Sequence, residues 1–95
     1  MISPGMKAEL RRAALGDADA AVRLAHEYKR LDGQHAGNRY VGWLQYAAVL
    51  GHEKAAYELA VHYRTQDQPV LASQYEARAV ALGFVPPSVL DHLRK

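Results

Sequence analysis

A thirteen-residue pattern, Gly-x-x-x-Ala-Ala-x-x-Leu-Ala-x-x-Tyr, runs from Gly16 to Tyr28 and recurs from Gly51 to Tyr63. The copies start 35 residues apart, and Gly83 continues the series after a further 32. Each glycine follows a leucine: Leu15, Leu50 and Leu82. A period of this length is that of a supersecondary unit, a helix pair, which cannot bury its apolar side alone and does so against its neighbours. Within 95 residues there is room for one such domain, read as a half repeat over 3–16, repeats over 17–51 and 52–83, and a C-terminal cap over 84–95.

Apolar residues recur at helical spacing almost throughout, and the β-branched, alternating runs of strands are missing, so the chain is expected to be all-α. Ser3-Pro4 opens a first helix running to Leu15, since proline is tolerated where its missing N–H has no helical partner. Gly16 closes it, and Asp17 or Asp19 caps a second helix through about Arg30, with Ala21, Leu24, Ala25 and Tyr28 facing inward. Leu31 to Asn38 reads as a loop, and Asn38 as the cap of a third helix, Arg39 to Leu50, whose apolar positions include Tyr40, Trp43, Leu44, Ala47 and Ala48, with Trp43 a core anchor and Tyr40 less constrained. Gly42 inside that helix costs about 1 kcal/mol relative to alanine, which a close helix approach would offset. A fourth helix, Glu53 to Arg64, repeats the second with Ala56, Leu59, Ala60 and Tyr63 inward. Asp67 is expected to cap a fifth, with Pro69 in its first turn and Leu71, Tyr75, Ala79 and Leu82 buried. Ser88 and Asp91 have the spacing of a capping box for a short last helix, Val89 to Leu93, covering the end of the array.

Counting back from the glycines, the eighth position is Ala8, Trp43 and Tyr75, and the third is Ala13, Ala48 and Val80. Trp43-Leu44-Gln45-Tyr46-Ala47-Ala48-Val49-Leu50-Gly51 resembles the Trp-Tyr-x-x-Ala-Ala-x-x-Gly that closes the second helix of Sel-one-like repeats. Leu24 to Tyr28 and Leu59 to Tyr63 are similar to the Leu-Gly-x-x-Tyr of first helices in tetratricopeptide-type repeats. The chain departs from the Sel-one-like pattern at Gly33 and Gly37, which are spaced unlike that family's Gly-x-Gly loop, and at Thr65 to Gln68, which has no glycine. The resemblance implies a short right-handed α-solenoid of antiparallel helix pairs. It also implies a protein-interaction adaptor, of a kind found in bacteria and eukaryotes, with no catalytic residues in the repeat itself; a bacterial protein is expected here.

Composition narrows the chemistry. With 49% hydrophobic and 23% charged residues, the chain is an ordinary globular sequence. It has no cysteine, which removes disulfides and thiolate metal sites. His26, His35, His52, His62 and His92 form no His-x-x-x-His pair, so no metal or other cofactor is expected. Ser3, Ser73 and Ser88 lie in no nucleophile elbow, and no phosphate-cradling glycine loop occurs, so no enzyme is expected. Neither a leader-like apolar run over Met1 to Leu15 nor a membrane-length stretch is found, which gives the cytoplasm as the expected compartment. The net charge of +2 comes from scattered Lys and Arg, so nucleic acid is not expected; Arg11, Arg12, Lys29, Arg30 and Arg39 are the residues that would carry that alternative.

In tetratricopeptide-type stacks the first helix of each pair lines the concave face. Removing the packing positions from the second and fourth helices leaves Asp19, Val22, Arg23, His26 and Lys29 beside Lys54, Tyr57, Glu58, Val61 and Arg64. This mixed, mildly basic surface with Tyr57 at its centre suits a protein or peptide with acidic groups around an apolar anchor. A dedicated-partner protein, such as an immunity protein or secretion chaperone, is the alternative within the same class. The protein is expected to be a monomer, or a weak homodimer paired through Met6 to Leu15.

Overall fold

The same turn is built four times. In the computed structural model, which describes residues 3–33 and 38–87, Gly16, Gly51 and Gly83 all take positive φ, at 98°, 97° and 106°. At each, the glycine N–H bonds the carbonyl three residues back and the next N–H bonds the carbonyl five residues back: Gly16 to Ala13 and Asp17 to Arg12, Gly51 to Ala48 and His52 to Ala47, Gly83 to Val80 and Phe84 to Ala79. These pairs satisfy the last helical carbonyls and reverse the chain at once. The fourth copy has no glycine. Asp67 takes φ 58° and bonds Arg64, and Gln68 bonds Tyr63. Asp67 therefore closes the preceding helix and does not cap the next, because the left-handed position of this turn falls on it.

Between the turns lie α1 (Pro4–Ala14), α2 (Ala18–Asp32), α3 (Asn38–Val49), α4 (Glu53–Thr65) and α5 (Pro69–Ala81), with no strand among the described residues. Three starts are capped by side chains: Ser3 Oγ accepts the Met6 N–H, Asp17 Oδ1 the Ala20 N–H, and His52 Nδ1 the Ala55 N–H. Gln68 precedes α5 with no side-chain cap bond. α2 runs two residues beyond Arg30, so Leu31 and Asp32 are helical and not loop, and Gly33 closes the helix with φ 58°. Asn38 is the first residue inside α3. The expected Val89–Leu93 helix lies outside the described residues.

Successive helices pack on one another, α4 with α5 and α2 with α3 most extensively, in a body of 47 × 27 × 22 Å. The core is mostly alanine, with Leu24, Leu44 and Leu59 the largest fully buried side chains, one each from α2, α3 and α4. Small residues let helix axes approach, and one leucine per helix fills the remaining volume. Met6, Tyr28 and Tyr40 are also buried, while Trp43, Tyr46, Tyr63 and Tyr75 are half-buried against the core. The Tyr46 hydroxyl donates to the Ala13 carbonyl at 2.6 Å and ties α3 to α1.

Two expected packing roles fail. Gly42 permits no close approach, since a Cβ built there meets nothing within 4 Å. Leu82 is 37% exposed, and on α5 only Ala72 and Ala79 are fully buried, because α5 packs extensively on α4 but on no other described helix to a like extent. Seven residues before the three glycines stand Glu9, Leu44 and Glu76. Leu44 is wholly buried in α3, which has neighbours on two sides. Its counterparts on α1 and α5 are carboxylates, Glu9 bonded to Arg12 and Arg23, and Glu76 to Arg64.

Candidate interaction surface

α2 and α4 are linked directly by two histidine–carboxylate contacts. His52 spends Nδ1 on the helix cap, which leaves Nε2–H to donate to Asp19 Oδ1 at 2.9 Å. His26 Nε2 lies 2.8 and 2.9 Å from the two oxygens of Glu58, and Glu58 Oε1 also accepts the Tyr40 hydroxyl at 2.9 Å. One half-exposed carboxylate thus joins α2, α3 and α4. Burial, reinforced by the hydrogen bond to Glu58 and its charge, pushes the Tyr40 phenol far above its ordinary range, so it stays a donor.

Tyr40 is also a floor for two basic groups. The Lys29 ammonium stands 4.9 Å from the ring centroid, and the His62 ring meets the same ring edge-on at 5.6 Å. His62 also packs edge-on against Tyr63, which stacks on Tyr75 of α5. Partial burial, and then the Lys29 charge, hold the His62 imidazole below its ordinary value.

Of the ten residues read as a binding face, Asp19, His26, Lys29 and Glu58 belong to this linked surface, Val22 packs half-buried against the core, and Val61 is 41% exposed on α4. Lys54 lies with Asp19, Gly51, His52 and Glu53 around an open depression of about 320 Å³ at the start of α4. The other three are drawn elsewhere. Arg23 bonds Glu9 of α1 at 2.9 Å, Arg64 bonds Glu76 of α5 at 2.8 Å, and Tyr57 stacks on Phe84 with ring centroids 4.5 Å apart. Tyr57 is therefore covered by the segment after α5, which also buries Pro86. Tyr40, His52 and His62 were not read as part of the face. The signals for them were the helix-spaced Glu58 and His62, and a polar residue at the cap position after Gly51.

Arginines elsewhere are similarly engaged: Arg12 with Glu9, Arg30 with Glu27, and Arg39 with Asp32, the last also lying over the Tyr28 ring. Among the described residues there is no group of three or more His, Asp or Glu side chains placed to hold a metal ion, and no helix is long and apolar enough to cross a membrane. No family model matches the chain, and no curated protein or solved structure matches it either.

Proposed function

We propose that the chain is a short right-handed stack of Sel-one-like helix pairs acting as a non-catalytic protein-binding module, and that it holds a protein or peptide on the face shared by α2 and α4. The observation that carries this reading is the convergence of Asp19, His26 and Lys29 of one repeat with His52, Glu58 and His62 of the next on one surface outside the alanine core. Side chains outside the core, gathered from two repeats, with Val61 exposed on the same helix as Glu58 and His62, are what a repeat protein offers a partner. Of the five cations that would serve a phosphate backbone, Arg12, Arg30 and Arg39 are held by carboxylates while, among the described residues, Arg11 and Lys29 are not, and with a net charge of only +2 this favours a protein partner over nucleic acid.

The test is affinity capture with a His26→Ala/Lys29→Glu/Val61→Asp variant beside a Ser73→Glu/Ala77→Glu control on the exposed surface of α5. The face variant is expected to lose a partner that the wild type and the control both retain. Equal retention by all three would place recognition on another surface.

A further inference from the structure

We propose that Lys29 and His62 form a carboxylate-receiving site, in which an Asp or Glu side chain of an acidic peptide is held between the ammonium and the imidazole. The site rests on the α2–α4 face being the interaction surface. Two basic groups from different helices brace on one buried ring: Lys29 Nζ lies 4.9 Å from its centroid, and His62 is edge-on at 5.6 Å with an interplanar angle of 71°. The carboxylate nearest in sequence, Glu58, one turn before His62 on α4, is already committed to His26 and to the Tyr40 hydroxyl. Among the described residues Lys29 makes no ion pair, and no hydrogen bond engages the ring nitrogens of His62.

The groups that face His62 are Lys29 of α2, Tyr40 of α3 and Tyr63 of α4, while His26 of α2 and Glu58 of α4 are paired with each other. Tyr75 of α5 lies behind Tyr63, and Arg39 is turned away to Asp32 and Tyr28. In the free protein partial burial, and then the Lys29 charge, oppose a proton on His62. An incoming carboxylate reverses that balance, so peptide and proton bind together. Affinity then rises as pH falls through the His62 titration, by at most about tenfold per pH unit.

The probe is hexaglutamate with an acetylated N-terminus and an amidated C-terminus, so that only side-chain carboxylates are offered. Binding is titrated at pH 7.5 and 5.5 at fixed ionic strength, following backbone amides and histidine ring signals by NMR. Wild type, Lys29→Gln, His62→Gln and His26→Gln proteins are compared, each checked for helicity. The wild type is expected to bind about five- to tenfold tighter at pH 5.5, with the His62 midpoint moved up on saturation. Lys29→Gln is expected to weaken binding at both pH values, and His62→Gln to flatten the pH dependence that His26→Gln keeps. If amides of α2 and α4 shift while the His62 midpoint stays put, or if His62→Gln keeps the full pH dependence, the carboxylate site is overturned and the interaction face stands. If hexaglutamate perturbs neither helix at either pH, the site is overturned, and the capture experiment alone decides the wider reading.

Discussion

Asp67 sits at φ 58° where the three equivalent turns have glycine, and its carboxylate stands at the C-terminal end of α4, where the helix dipole disfavours negative charge. Asp67→Gly is expected to raise stability by about 1 kcal/mol, seen as roughly 4–8 °C in thermal melting of a domain this small. Gly51→Ala is the converse. A Cβ there meets nothing within 4 Å, so its cost is the backbone alone, about 1–2 kcal/mol by urea unfolding. His62 gives a pH signature. Its folded value lies below the ordinary one near 6.5, so the unfolded chain takes up the proton first. Stability falls as pH drops below about 6.5, until the folded form also protonates. In paired urea titrations at pH 7.5 and 5.5, His62→Gln should lose less stability over that interval than the wild type.

At the scale of an element, α3 carries an unforced weakness. Gly42 is exposed, in the helix interior, with open space where its Cβ would be. Gly42→Ala should therefore stabilise by about 0.5–1 kcal/mol in the same unfolding assay, and a loss would mean that the position contacts something. The helix start at Ser3, the start of α2 to within Asp17 or Asp19, and the inward stripe of α2 were legible in the sequence, because capping and 3.6-residue periodicity are local. The Asp67 turn was less so, since a short polar side chain serves equally as a cap or in the left-handed position, and the choice depends on where α4 stops. The Tyr40–Glu58–His26 junction depends on how three helices are set against one another, which no single helix's pattern encodes. For the same reason Arg23 and Arg64 read as free side chains, whereas Glu9 and Glu76 hold them against α1 and α5.

For the whole molecule, core leucines and turn leucines separate cleanly. Leu59 is fully buried, and Leu59→Ala should cost about 2–5 kcal/mol, a large share of the 5–15 typical of such domains. Leu15, 84% exposed, should tolerate alanine within about 0.5 kcal/mol in the same denaturation series. The leucines before the glycines recur as regularly as the core does, and the repeat alone does not distinguish the two roles.

The register shared by Glu9, Leu44 and Glu76 also bears on how such a molecule could grow. The turns at Gly16 and Gly51 have the same backbone, so a duplicate of residues 17–51 spliced after Gly51 would meet a joint of the shape it came from. The duplicate would bring a second copy of Leu44, with apolar surface on both sides, while the carboxylates on α1 and α5 stayed where they are. Lengthening is thus open from within: the added leucine would find a helix on either side, and Glu9 and Glu76 would keep the arginines of the helices next to them.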